Sequence, residues 1–349
     1  MLISILSAYG FDRDKCTIKA FGTGLINHTW LVNCEEKDYI LQKINHHVFK
    51  NPYSISDNIR FVGDYLKRHN PDYLFVMPVL SLDHKDLVHD GKDYYRMFPF
   101  VQESVTYTTL ENPKLAYEAA KQFGKFTHLL SNFDTSVLQE TLPNFHNLTL
   151  RYHQFQDSLL NGNKDRLAEA AGCIEQIESY RYIVDEFEKI KSNSDFKTRV
   201  MHHDTKISNV LFDNKNKGLC VIDLDTVMPG YFISDVGDMM RTYLSPVSEE
   251  EKDFTKIEIR EEYFDAIVAG YLSEMKPDMS AVELNSFVYA GKFMIYMQAV
   301  RFLADYLNND VYYGSKYEGH NFIRAKNQLY LLELLHEKEN KLLKRSSHL

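Results

Sequence analysis

Asp204, Asn209 and Asp223 are the residues of this chain whose types and spacing could do chemistry together. The segment reads His202-His203-Asp204-Thr205-Lys206-Ile207-Ser208-Asn209 and runs, after an apolar stretch and a polar turn, into Val221-Ile222-Asp223-Leu224-Asp225. An Asp followed five positions later by an Asn, then by a strand–turn–strand ending in a second Asp, is the pattern of a phosphoryl-transfer centre. In such a centre Asp204 accepts the proton of an attacking hydroxyl, while Asn209 and Asp223 hold magnesium between phosphates. An amide and a carboxylate oxygen suit a hard cation that keeps several waters. The bland alternative is a surface hairpin with incidental carboxylates. The H-x-D-x-x-x-x-N string alone leaves that alternative open; the hairpin and the downstream Asp argue against it.

The elements needed to position these groups are legible around them. Asn209-Val210-Leu211-Phe212 and Leu219-Cys220-Val221-Ile222 are apolar and flank the polar turn at residues 213–218, which predicts a hairpin returning Asp223 to Asn209. Upstream, residues 17–100 read as a small strand lobe. Its strands are Thr17–Phe21, Trp30–Val32, Tyr39–Lys43, Leu74–Met77 and Asp93–Phe98, and Ile55, Ile59, Val62 and Leu66 mark one amphipathic helix near residues 54–68. Gly22 and Gly24 between strands suggest a turn that covers phosphates, because backbone amides approach phosphate closely only where no Cβ intrudes. An ordinary hairpin turn fits the same two glycines. Gln42 and Lys43 follow on a strand, as nucleotide-binding side chains would, although adjacent strand residues face opposite ways.

Phe98–Val101 would cross into a second, mainly helical lobe. Asn112-Pro113 opens a helix with a capping residue and a first-turn proline. Segments near 164–191, 256–273, 281–307 and 321–344 also read as helices. The expectation is an α+β protein of two lobes: a β-rich nucleotide lobe over residues 1–100, and a helical lobe over 101–349 carrying the catalytic loop, the metal site and the acceptor site.

Composition restricts the partners. The chain has 349 residues and a formal net charge of −9, which disfavours nucleic acid and anionic membranes. No apolar run approaches transmembrane length, and the amino terminus lacks a basic leader, so a cytoplasmic protein is expected. Cys16, Cys34, Cys173 and Cys220 form no C-x-x-C pair and are expected as reduced thiols.

Taken together, these residues make the chain resemble the aminoglycoside-phosphotransferase-like kinases, which have the protein-kinase-like fold. Within that superfamily it is most similar to the N-acetylhexosamine 1-kinases. The resemblance rests on Tyr39-Ile40-Leu41-Gln42-Lys43-Ile44-Asn45, on Asp204-Thr205-Lys206 with Asn209, and on Ile222 through Gly230. Asp235-Val236-Gly237-Asp238, Arg301 through Leu307, and Asp310-Val311-Tyr312 carry the rest. It implies ATP as co-substrate, Mg2+ as cofactor, Asp204 as base, Asn209 and Asp223 as metal ligands, and Asp238 as a brace for the catalytic loop. It also implies a sugar pocket lined by Thr226, Arg301 and Tyr312. Asp225, on the same face as Asp223, is a further candidate, either as a carboxylate supporting the metal ligands or as a sugar contact. Leu25 and Thr242 replace a His and a Phe of those kinases at the pocket border. Gln42 stands where many relatives carry a cation paired to a helix carboxylate, and Arg60 occupies the expected partner position.

The expected activity is transfer of the ATP γ-phosphate to a sugar hydroxyl, the anomeric hydroxyl of N-acetylglucosamine or N-acetylgalactosamine by resemblance. A kinase for homoserine, choline or an aminoglycoside is the alternative within the fold, and a nucleotide-binding pseudokinase scaffold is the alternative outside catalysis. Among the remaining residues, His202 is expected to orient the catalytic loop, His46-His47 to be solvated, and Glu249-Glu250-Glu251 to begin a solvated helix. No nucleophile elbow is present for hydrolase chemistry.

Overall fold

The computed structural model describes residues 2–22, 24, 26–34 and 37–348. Helix α1 (Leu2–Ala8) precedes a five-stranded antiparallel sheet of β1 (Cys16–Ala20), β2 (His28–Cys34), β3 (Lys37–Ile44), β4 (Val88–His89) and β5 (Tyr94–Pro99), ordered β1-β2-β3-β5-β4. Strand alternation divides the lobe's chemistry between two faces. Val32, Leu41, Tyr95 and Met97 pack with Ile5 and Leu6 of α1 and with Tyr9 just beyond it on one face. Ile44 on the other face joins Ile55, Ile59, Val62 and Leu66 of α2 (Pro52–His69). Gln42 has the parity of Ile44, and the register sets it opposite Arg96. Lys43 has the parity of Leu41 and therefore points to the α1 side.

The helical lobe begins with α3 (Pro113–Leu129), whose amino end is capped by the Asn112 side chain accepting from the Leu115 amide. It continues through α4 (Leu148–Asn161), α5 (Lys164–Glu169), α6 (Ala171–Ser179) and α7 (Tyr182–Ser192). Two small strand pairs follow: β6 (Arg199–Met201) with β9 (Met228–Gly230), and β7 (Val210–Phe212) with β8 (Gly218–Val221). Then come α8 (Phe232–Tyr243), α9 (Glu261–Met275), α10 (Ala281–Leu284), α11 (Phe287–Leu307), α12 (His320–Glu337) and α13 (Glu339–Ser346). Helix α11 is apolar nearly all round and forms the axis of the main core, packing on α8, α12 and α4. Among the described residues no helix is long and apolar enough to cross a membrane.

The two-lobed α+β architecture is the expected one, and the catalytic hairpin is present as β7–β8. Several expectations need correction. Leu74–Met77 is not a strand. Its alternation is real, since Val76 packs with Leu211 and Cys220 while Phe75 and Met77 face the main core, but no strand lies beside it to complete a ladder. The helix expected over 164–191 is three helices, and that over 281–307 breaks at Asn285–Ser286. The region 256–273 starts as a single 3-10 turn and becomes helical only at Glu261. The four cysteines are not all thiols: Cys16 and Cys34 are disulfide-bonded. The β1–β2 register sets them directly opposite, with Cα atoms 4.3 Å apart, which a sequence separation of 18 does not reveal. Glu249 does not open a helix; it is ion-paired with Arg241 at 2.6 Å and with Arg324.

Candidate active site

The catalytic loop leaves β6 and is held from α8. The Asp235 carboxylate accepts the amides of His202 (3.0 Å) and His203 (2.7 Å), and Asp238 accepts that of Thr205 (2.9 Å). The Thr205 hydroxyl donates to the Asp235 carbonyl, and the Tyr243 hydroxyl donates to the Thr205 carbonyl. His202 is fully buried with Nε2 2.8 Å from the Ile222 carbonyl, which ties the loop to the metal hairpin. His203 has a φ of +65°, and its ring packs under Gly230, where an added Cβ would lie 2.4 Å from Cε1. So many fixed contacts on one loop leave Asp204 little freedom of position. Its side chain is 22% exposed and meets the Lys206 ammonium at 2.9 Å. Burial alone would lower the Lys206 pKa, but Asp204 and Asp238 outweigh it and keep the ammonium charged.

Asn209 closes the other side of the loop. Its Nδ2 donates to the Asp204 carbonyl at 2.9 Å, and the Ile222 amide donates to the Asn209 carbonyl at 2.8 Å. The hairpin thus brings Asn209 and Asp223 to one end. Asp223 adopts a left-handed φ of +60° and reaches the solvent-lined cleft. Its carboxyl is raised to about 7: the surrounding protein is the main cause, and the charges of Asp225 and Asp204 add to it. Among the described residues no cluster of three acidic, histidine or cysteine side chains is placed to hold a cation by itself, and the Asn209 amide and Asp223 carboxylate at this end of the hairpin are the two groups that could contribute to holding one.

On the nucleotide side, Gly22 has a φ of +76°, a conformation glycine adopts without strain, and nothing lies within 4 Å of where its Cβ would be. Gly24 is also open, its nearest neighbour being the Asn27 carbonyl at 3.7 Å. Leu25 lies outside the described residues. Gln42 faces the cleft, where its Oε1 accepts Nε (3.0 Å) and Nη2 (2.8 Å) of Arg96. Arg96 is only 1% exposed, pairs with Asp225 at 2.5 Å, and keeps a buried Nη1 with no partner. Asn27 reaches from the glycine turn to Asp225 at 2.7 Å. Asp225 is therefore tied to the nucleotide lobe by two side chains, which suits the supporting carboxylate of the two roles expected for it better than the sugar contact. Lys43 is not brought to the cleft; it pairs with Asp93 at 3.4 Å on the α1 side. Arg60 pairs with Asp86 and does not meet Gln42.

On the acceptor side, Arg301 of α11 and Tyr312 beyond it line one cavity of about 360 Å³ together with Arg151, Gln154, Asn308 and Tyr313. The Arg301 guanidinium lies 5.8 Å from the Phe145 ring, 5.9 Å from Tyr312 and 5.3 Å from Tyr313. His146, next to Phe145, is 3.2 Å from His203 through the two Nδ1 atoms, so two imidazoles separate this cavity from the catalytic loop. Thr226 stands apart from the cavity: it is buried and its hydroxyl donates to the His202 carbonyl at 2.7 Å. Thr242 likewise donates to the Asp238 carbonyl. Sequence reasoning missed Arg96, Asp235, Arg151 and the Glu249 pairings. Asp235 had a signal in the D-V-G-D motif; Arg96 and Glu249 depend on partners distant in sequence, and Arg151 on the cavity it shares with Arg301.

An open sheet lobe over a helical lobe, with an Asp/Asn/Asp centre between them, defines a phosphotransferase of the protein-kinase-like class. The chain belongs to the phosphotransferase enzyme family, whose model matches residues 17–283. Solved structures share the fold along nearly the whole chain. A microcompartment-associated aminopropanol kinase is 15% identical with a TM-score of 0.64, over 98% of this chain and 97% of that one. A spectinomycin phosphotransferase in complex with ADP and spectinomycin is 16% identical with a TM-score of 0.59, over 100% and 98%. A choline kinase from Cryptosporidium parvum is 15% identical with a TM-score of 0.60, over 99% and 98%.

Proposed function

We propose that this chain transfers the γ-phosphate of ATP to a sugar hydroxyl, the anomeric hydroxyl of an N-acetylhexosamine. The observation that carries the acceptor class is the cavity at Arg301. Its walls offer guanidinium, amide and phenol groups, with one exposed carboxylate, Asp157, beside them. The carboxylate of Asp305 is occupied by the Tyr312 and Tyr313 amides and by Asn321. Choline and aminopropanol are cationic, and an ammonium placed against two arginines is repelled. Sugar hydroxyls accept from guanidinium and donate to amide and phenol oxygens.

In this reading Asp204, ion-paired with Lys206 at 2.9 Å, takes the proton of the attacking hydroxyl. Asn209 and Asp223 hold Mg2+, whose charge would offset that of the phosphates. Gly22 and Gly24 let the turn lie close to the phosphates. Arg96, aimed by Gln42, supplies the cation that Gln42 itself lacks, through its unpartnered nitrogen. The rest is positioning, since phosphoryl transfer asks little covalent work of the protein. The test is incubation with ATP, magnesium and N-acetylglucosamine, N-acetylgalactosamine, plain hexoses, choline or homoserine, followed by phosphorus NMR. An anomeric phosphate doublet is expected for an N-acetylhexosamine; a phosphomonoester of choline or homoserine alone would overturn the reading.

A further inference from the structure

Acidic and basic residues balance within residues 1–100, so the whole net charge of −9 falls in the helical lobe. Against that acidic background the acceptor-side cavity presents two arginines, neither of them ion-paired with the two carboxylates, Asp157 and Asp305, that also line it. Arg151 donates through Nη1 to Gln154 and through Nη2 to the carbonyls of Asn144 and Phe145. Its Nε is buried and has no partner. Arg301 donates to Gln298 and otherwise meets only aromatic rings. Among the described residues neither guanidinium has an ion-pair partner. Burial lowers the Arg151 pKa, and repulsion from Arg301 lowers it further, so the two charges sit close enough to oppose each other. The Tyr313 hydroxyl, on the same cavity, is buried and also unpartnered. Asp157 lies on the exposed rim, and the Asp305 oxygens accept the Tyr312 and Tyr313 amides and Asn321.

Two like charges held together, with orphaned donors beside them, are costly unless a ligand compensates them. Arginine pairs are suited to do this for planar or tetrahedral oxyanions, which they bind with several hydrogen bonds. We propose that Arg151, Arg301 and Tyr313 form a subsite for an anionic substituent on the acceptor: a carboxylate, sulfate ester or phosphate ester carried by the sugar away from the hydroxyl that is phosphorylated. The cavity volume is at the small end of ligand sites, enough for a substituted monosaccharide. His146, stacked on Phe145 and in contact with His203 of the catalytic loop, stands between this cavity and that loop, so the anion would bind away from Asp204. The inference rests on the sugar-kinase reading and narrows its substrate.

The experiment compares kcat/KM for N-acetylglucosamine with its 6-sulfate, its 6-phosphate and the corresponding uronic acid. One of the three anionic sugars is expected to exceed the neutral one by about tenfold or more, and the best of them identifies the substituent. The ratio of anionic to neutral kcat/KM should fall by about one to two orders of magnitude in Arg151→Gln and in Arg301→Gln. Arg151→Lys should keep part of the preference. Should one variant fail to fold, the other carries the comparison. Neutral turnover equal to or above all three anionic sugars overturns the subsite and leaves the sugar kinase standing. An anionic preference that survives in both glutamine variants overturns the residue assignment. If choline or homoserine is phosphorylated and no sugar is, the underlying reading fails and this inference with it.

Discussion

At Asp204 the surroundings decide the role. The carboxylate is partly exposed toward the cleft, its backbone is fixed by its neighbours' bonds to Asp235 and Asp238, and its side chain is ion-paired with Lys206. Asp204→Asn should therefore retain the fold and ATP binding and lose about 10²–10⁴-fold in kcat. Wild-type kcat with every acceptor would sink the assignment. Asp223 and Asn209 differ in charge, and the metal should feel the difference. Asp223→Ala is expected to remove productive magnesium–ATP binding, and raising magnesium should hardly restore it. Asn209→Ala loses a neutral ligand and should be partly rescued. Its Nδ2 also holds the Asp204 carbonyl, so a residual loss in kcat should persist at saturating magnesium. A magnesium titration of the three proteins checks both; identical curves for wild type and Asp223→Ala would exclude the metal site.

Between elements, the group that sequence could not supply is Arg96. Its place in the site comes from the β3–β5 register, which sets it beside Gln42, and from Asp225, 129 positions further along, which pairs with it. No local pattern marks an arginine in a strand as a cleft residue. Arg96→Met should raise the KM for ATP by about one to two orders of magnitude while leaving the sugar KM near wild type, read from steady-state kinetics in each substrate. Equal loss in both substrates would make the Arg96–Asp225 pair a lobe clasp and no phosphate contact. The catalytic hairpin was legible because both strands and the turn are contiguous, so composition and length suffice. The α2 and α3 helices were legible from apolar spacing and, for α3, from Asn112-Pro113. The breaks near Ala170 and Tyr180 were not, since no proline lies between Lys164 and Ser192 and tertiary packing sets the ends. Arg301 and Tyr312 were found through resemblance, and they do share a cavity; Lys43 was not separable from Gln42 until strand parity was fixed against α1.

Across the whole molecule, burial of imidazoles beneath the active site couples stability to pH. His202 and His203 are buried, and both have pKa values lowered chiefly by burial, His203 to about 4. An unfolded histidine takes a proton near 6.5, whereas folded His203 does so only near 4. Between those values the unfolded chain holds more protons, so stability contributed by this group is complete above pH 6.5 and is lost as pH falls toward 4. The loss amounts to roughly 2 kcal/mol by pH 5 and about 3 kcal/mol in full. Asp223 acts in the opposite sense. Its carboxyl is raised to about 7, so the folded chain gains a proton before the unfolded one does, and falling pH favours the fold. The two effects partly cancel in the wild type, and a single pH profile would hide both. The difference between wild type and His203→Asn isolates the histidine, because asparagine tolerates the left-handed backbone and does not titrate. Urea unfolding at pH 7 and pH 5 should show a stability gap between the two proteins that shifts by roughly 2 kcal/mol in favour of the variant at the lower pH. A gap that stays constant with pH would mean that His203 is protonated in the fold as readily as in the unfolded chain.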